Sequence, residues 1–350
     1  MKGRIVTIGS SAGGRDALTR LVAQLPHDLP AAVFVVNHMP ADADAGQLAR
    51  ILDESGPLDC KVAVDGEAFE VGRIYVPPAD HHLLLAKKTI MVTKGARENR
   101  SRPAIDPLFR SAAVAHGNRV IGVVLTGYLD DGTAGLTAIK RCGGQTVVQE
   151  PRDAAYPDMP LNALKQGDVD HTVPLAEMGA TLAVLARKRL GKRIPVPDDI
   201  RIEARIAERV LSDLASVEAL GEQAPFNCPN CGGVLWQMDQ GDSDDSLRFR
   251  CHTGHSFTAP VLLAEQSGKI EETLWVALRM FEERRNLLMT MSERTMRTKR
   301  PGGSGARTDA YASVRERAKE SEIHIRRIRE MLRTGEPAKG KAPGARALPK

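Results

Sequence analysis

The sequence predicts an α/β fold, a doubly wound and mainly parallel sheet, followed by a small cysteine-rich ribbon and an α-helical hairpin. Three observations carry that expectation. From residue 4 to about 190, short apolar runs alternate with longer amphipathic segments, the pattern of βαβ units with helices on both faces of the sheet. Residues 226–258 then crowd Cys and His side chains into a polar, Gly-containing stretch. Beyond it, apolar residues return at steps of three and four in two long runs. A chain of 350 residues exceeds one average core, so several units are expected.

Taken in order, RIVTIG reads as a strand, RDALTRLVAQL as a helix, AAVFVVNHM as a strand and AGQLARILDES as a helix. VGRIYVPP and TIMVTK look like an added pair of strands. RVIGVVLTG is a nearly all-apolar buried strand, TAGLTAIKRC a helix, and QTVVQE another strand. GKRIPVPDD has linker composition, and DIRIEARIAERVLSDLASV is an amphipathic helix opening behind an Asp N-cap. In the last part, Ile270, Leu274, Ala277, Phe281, Leu288 and Met291 form one apolar seam, and Val314, Ala318, Ile325, Ile328 and Met331 a second. RTKRPGGSGARTD breaks the helix between them. The expected organisation is residues 1–192 as the α/β domain, 193–225 as a linker helix, 226–258 as the ribbon, 259–334 as the hairpin, and 335–350 as a disordered basic tail.

A net charge of +5 is mild for this length, and much of the excess Lys and Arg follows residue 290, which argues against a nucleic-acid coat. The sequence has no apolar run of about 18 to 20 residues that could span a bilayer and no charged-then-apolar leader, so a cytoplasmic protein without membrane insertion is expected. Five cysteines are an odd number. In a reducing compartment they suggest metal ligands or buried thiols rather than disulfides.

The stretch IVTIGSSAGG, residues 5–14, breaks a β-branched run into Gly and Ser before an amphipathic segment, so it reads as strand, sharp turn, helix. It lacks the second glycine of a dinucleotide fingerprint, and no Lys-Ser or Lys-Thr follows Gly14 as a Walker loop requires. A serine on such a turn instead has its hydroxyl lifted above the sheet edge beside helix N-terminal amides. His38 in VFVVNHMP and Asp131 in LTGYLDDGTAG lie at the C-terminal ends of two other apolar runs. The C-terminal ends of parallel strands gather along one edge, so a Ser, a His and an Asp from three of them can meet. For each, a bland role competes: steric accommodation in the turn, a partly buried imidazole, and a helix-capping turn aspartate.

IGSSAGG, VNHMP and LTGYLDDGTAG, with GRIYVPPADHHLLL, SRPAIDPLFRSAA and VVQEPRDAAYPDMPLNAL in the same order, resemble the catalytic domain of the chemotaxis receptor protein-glutamate methylesterases, the CheB family, over roughly residues 4–190. The resemblance implies Ser11 as nucleophile, His38 as general base and Asp131 as orienting carboxylate. It implies no catalytic cofactor and a methylated chemoreceptor, or a similar helical signalling protein, as partner. Ser11-Ala12 stands where many members have Ser-Thr, and Tyr128-Leu129 where they tend to have Met-Gly. These forms look more like the stand-alone branch, and with the start directly at the catalytic strand no attached receiver domain is expected to act as the switch. His82 matches a family position near the pocket; a surface turn histidine is the alternative.

In FNCPNCGGVLW and RFRCHTGHSF, Cys228 with Cys231 and Cys251 with His255 form two ligand pairs across a short polar hairpin. That set suits a tetrahedral structural zinc site, with His252 the rival fourth ligand. Asp239, Asp242, Asp244 and Asp245 in the intervening loop would repel phosphates, so no nucleic acid is expected. Cys60 and Cys142 read as buried apolar residues. The hairpin suits a homodimer or a partner's helices. The expected function is hydrolysis of glutamate methyl esters with methanol release, with glutamine deamidation by the same attack. The alternatives are another carboxylester hydrolase and a catalytically weak signalling scaffold.

Overall fold

The computed structural model describes residues 3–166, 168–208, 214–238, 247–297 and 305–334. In chain order its first elements are β1 (Arg4–Ser10), α1 (Gly14–Val22), β2 (Ala31–Asn37), α2 (Ala45–Ser55), β3 (Asp59–Val62), β4 (Arg73–Val76), β5 (His82–Leu85), β6 (Ile90–Thr93) and α3 (Ile105–His116). There follow β7 (Val120–Val124), α4 (Thr133–Arg141), β8 (Gln145–Gln149), α5 (Asp158–Gln166), β9 (His171–Val173), α6 (Leu175–Arg187) and α7 (Asp198–Glu208). Seven strands form one sheet in the order β3-β4-β2-β1-β7-β8-β9, and every pairing is parallel. β2, β4 and β3 lie on one side of β1 and β7, β8 and β9 on the other, so the topological switch lies beside β1, where the C-terminal ends of an open sheet admit a ligand.

Period-two alternation explains both cores. Val6, Ile8, Val33, Val35, Ile121 and Val123 point to one face, under Leu18, Leu21, Leu52 and Leu182 of α1, α2 and α6. Ile5, Phe34, Val36, Val120 and Val124 point to the other, under Ile105, Leu108, Phe109, Leu136 and Met159 of α3, α4 and α5. Strands covered on both sides are apolar at every position, which is why RVIGVVLTG shows no polar alternation. One expectation is corrected. VGRIYVPP and TIMVTK are not a pair: β4 joins the main sheet between β2 and β3, while β6 pairs antiparallel with β5. The run HHLLL supplies the true partner, since its four strand residues are all buried and fold back on β6 through a short turn.

The ribbon follows α8 (Leu214–Glu218) as a four-stranded antiparallel sheet of β10 (Gly221–Asn227), β11 (Val234–Met238), β12 (Arg248–Cys251) and β13 (Ser256–Thr258). Its pleat sorts side chains by parity. Leu235, Phe249, Cys251 and Phe257 form one small core, and Trp236 and Met238 pack with Ile206 of α7 in another. Arg248 and Arg250, on the Trp236 face, enter a fully buried ion cluster with Glu98, Glu203 and Arg110. Residues 1–263 form one compact unit, so the ribbon belongs with the α/β domain.

That cluster sets an acid limit on stability. Burial alone would raise the Glu98 and Glu203 carboxyls, but Arg110 and Arg250 around the first, and Arg248, Arg110 and Arg250 around the second, hold both below the usual range. The unfolded chain therefore binds more protons in acid, so this stability is complete above the ordinary Glu value of about 4.3 and is lost as pH falls below it. Guanidinium midpoints measured from pH 7 down to 3 are expected to hold to about pH 5 and then drop steadily.

The second unit contains the hairpin of α9 (Ala259–Arg297) and α10 (Gly305–Thr334) from residue 264 onward. Its seam joins Leu274, Ala277, Leu278 and Phe281 to Ile325, Ile328 and Met331. Ile270 and Met291, expected in that seam, are exposed instead, because α9 carries a second apolar stripe. Residues 335–350 and the Asp239–Asp245 loop lie outside the described residues. Among the described residues no helix is long and apolar enough to cross a membrane.

Candidate active site

Three neighbouring strands, β2, β1 and β7, end on the same edge of the sheet, and each is followed by one polar side chain of interest. Ser11 directly follows β1, where its N–H donates to the Thr126 carbonyl at 3.0 Å and its carbonyl accepts from Gly14 at 2.8 Å, closing the turn into α1. Gly13 holds φ 72, a left-handed value that glycine adopts without cost. Gly127 keeps the space open: a Cβ there would lie 2.8 Å from the Ser11 Cβ and 2.1 Å from the Met159 sulfur. Ser10 instead points into the fold and donates to Asn37 Oδ1 at 2.9 Å.

His38 follows β2 and bridges the other two residues. Its Nδ1 lies 3.1 Å from Ser11 Oγ and its Nε2 lies 2.7 Å from Asp131 Oδ2. Because an ionised carboxylate can only accept, Nε2 carries the proton, which leaves Nδ1 as the acceptor facing the serine. The imidazole is partly open to solvent, whereas Asp131 is buried.

Asp131 is held by more than the histidine. Its Oδ2 also accepts from the Ile105 N–H at 2.7 Å. Its Oδ1 accepts from Asn99 Nδ2 at 2.9 Å, from the Gly132 N–H at 3.0 Å and from the Asp106 N–H at 3.2 Å. Burial opposes its charge, but the His38 hydrogen bond, the His38 charge and these donors hold it below the usual carboxylate range. Asp106 behaves oppositely: burial first, and the Asp131 charge second, push it up to about 7. The two adjacent carboxyls are thereby divided, Asp131 held down and Asp106 pushed up.

Ser11, His38 and Asp131, expected from three separate stretches of sequence, meet in one hydrogen-bonded chain. The family model described as CheB methylesterase matches residues 6–182. The chain belongs to the CheB methylesterase family. An Anaeromyxobacter dehalogenans protein-glutamate methylesterase/protein-glutamine glutaminase is 38% identical over 188 residues, covering 53% of this chain and 51% of the relative. A Leptospira interrogans protein with the same two activities in its name is 36% identical over 189 residues, covering 54% of this chain and 97% of the relative. The chain thus spans about half the length of some curated relatives and nearly all of another. Among solved structures, the Thermotoga maritima CheB methylesterase catalytic domain matches with a TM-score of 0.51 and 33% identity, covering 53% of this chain and all of that one.

Asn99 and Asp106 were not singled out by the sequence. Asp106 lies within the family-like SRPAIDPLFR, but nothing in its spacing to Asp131 marks it. Asn99 sits in ENRS, where two successive residues, Asn99 and Arg100, take positive φ of 48° and 69°; asparagine is among the few residues that tolerate this. His82 is buried rather than on a surface turn, with its Nε2 2.9 Å from the Ala96 carbonyl and its Nδ1 accepting from the Ala104 N–H. It braces the segment that leads to α3. Burial lowers its pKa, which favours the neutral ring that both contacts require.

In the ribbon, one donor atom from each of Cys228, Cys231, Cys251 and His255 lies within 4.8 Å of the others. The measured edges are 3.7 Å for Cys228 to His255, 3.7 Å for Cys231 to Cys251 and 3.5 Å for Cys251 to His255. A tetrahedron with metal–sulfur bonds of about 2.3 Å has edges of about 3.8 Å, so the four residues can hold a metal ion. The rival His252 is not in the group; its ring packs against Gly233. Cys60 and Cys142 sit apart, pushed up by burial to about 12 and about 11, as unreactive thiols.

Proposed function

We propose that this chain is a serine-dependent protein-glutamate methylesterase that acts on methylated chemoreceptor-like helical proteins in the cytoplasm. The observation that carries the reading is the continuous hydrogen-bonded chain from Ser11 through His38 to Asp131, within a domain of the CheB methylesterase family. His38 Nδ1 takes the Ser11 proton as Oγ attacks the ester carbonyl. Asp131 holds the proton on Nε2 and stabilises the imidazolium that forms. The Ala12 N–H, where the turn enters α1, is the candidate donor to the developing oxyanion. Collapse passes the proton from His38 to the leaving methoxide, releasing methanol. Water, deprotonated by the same imidazole, then hydrolyses the acyl-enzyme. A glutamine side chain offers the same carbonyl with ammonia as leaving group, which supports deamidation as a second reaction.

The test is methanol release from a membrane preparation of methylated chemoreceptors by the full chain. Release above the spontaneous rate is expected. Release indistinguishable from background would favour the scaffold reading, and hydrolysis of simple carboxylesters alone would favour another substrate.

The four donors of the ribbon are read as a closed structural zinc site, because soft thiolate and imidazole ligands in a tetrahedral set match that ion. Metal analysis is expected to find about one zinc per chain, and Cys231→Ser to lose it. Undiminished zinc in that variant would refute the assignment. On α9, Val276, Met280, Leu287 and Met291 form an exposed apolar stripe at steps of four, seven and four, which supports a helical partner or a second copy. Sedimentation velocity reads the homodimer directly.

A further inference from the structure

The ribbon rests on the two loops that present Asp131, through three separate contacts. The Asn99 N–H donates to the Ser256 carbonyl at 2.9 Å, and Glu98 forms a parallel bridge with Ser256. Asn99 then donates from its amide to both Asp131 and Asp106 at 2.9 Å. Second, Thr258 Oγ1 donates to Asp130 Oδ1 at 2.9 Å, one residue before Asp131. Third, Leu129 packs on the ribbon core that contains Phe249 and Phe257 while holding φ 64, a left-handed backbone that costs a leucine free energy. That conformation persists because the ribbon gives the side chain a place to bury.

The metal ligands adjoin these contacts in the chain. Ser256 follows His255, and Arg250, which pairs with Glu98 and Glu203, precedes Cys251. A left-handed turn at Asn99 and Arg100 survives only when its surroundings over-determine it, and here the surroundings are the Ser256 carbonyl and the Arg250–Glu98 pair. A small cysteine-ligand module draws much of its folding free energy from its metal. Emptying the site therefore loosens the turn that positions the carboxylate.

Resting on the esterase reading above, we propose that metal occupancy of the Cys228, Cys231, Cys251 and His255 site sets the rate of the Ser11–His38–Asp131 chain, with Asn99 as the positioning residue that transmits it. The full chain is compared zinc-loaded, stripped by chelator and reloaded with zinc, by hydrogen exchange and by methanol release. Stripping is expected to speed exchange about tenfold or more across 98–106 and 127–132, while β1 and β7 stay protected. In the same samples kcat falls about 10- to 100-fold with KM little changed, and zinc restores both. Thr258→Val keeps its zinc yet lowers kcat in the same direction, which separates the contact from simple loss of folding. Unchanged exchange across 98–106 in stripped protein whose 228–255 segment has opened overturns the proposal, as does a chain that binds no zinc. Exchange that follows zinc while loaded protein releases no methanol keeps the coupling and overturns the esterase reading instead.

Discussion

Ser11→Ala is expected to lower methanol release by about 10⁴-fold or more, while Ser10→Ala retains most of it. The two serines are adjacent, but β1 ends between them. Ser10 is the last strand residue and is completely buried, with its hydroxyl spent on Asn37. Ser11 has left the ladder, and its hydroxyl is the one that His38 Nδ1 can deprotonate at 3.1 Å. On the proposed mechanism, removing Oγ from Ser11 deletes the bond-forming atom, so the loss appears in kcat. Removing it from Ser10 leaves the partly buried Asn37 Oδ1 without its donor, which costs about 1 kcal/mol of stability and little rate. Thermal melting beside the methanol assay distinguishes the two. Equal loss in both variants with unchanged melting would point away from Ser11 as the nucleophile.

What the sequence made legible here follows from local rules. A parallel sheet brings strand C-termini to one edge, so a Ser, a His and an Asp from three short motifs could be expected to meet, and the family resemblance then implied Ser11, His38 and Asp131 in particular. The Cys and His pairs were legible for a similar reason, since ligand spacing is local. The reverse holds for the supporting contacts. Asn99 reaches Asp131 over 32 residues, Arg248 reaches Glu203 over 45, and Arg250 reaches Glu98 over 152; no pattern in the chain encodes such pairings. Short apolar runs such as TIMVTK announce a strand without naming its neighbour. Likewise, steps of three and four on α9 predict an apolar face but do not tell which of two stripes meets α10, and so Ile270 and Met291 were misplaced.

The orientation of the His38 ring is also a fact of structure, and it determines the result of replacing Asp131. Oδ1 receives three donors, from Asn99, Asp106 and Gly132, whereas Oδ2 receives two, from His38 and Ile105. In Asp131→Asn the side-chain oxygen takes the three-donor side, because an NH2 group there would face three N–H groups. The NH2 then faces His38 Nε2, which must become an acceptor, and the ring proton moves to Nδ1. With Nδ1 protonated, the imidazole presents a donor to Ser11 and can no longer remove its proton. Nearly the same shape is kept, yet the base is disabled, and kcat is expected to fall about 10⁴-fold. Nitrogen-15 chemical shifts of the His38 ring provide the check, with the protonated nitrogen moving from Nε2 in the parent to Nδ1 in the variant. A variant that keeps the Nε2–H tautomer and near-normal kcat would show that Asp131 does not orient the base.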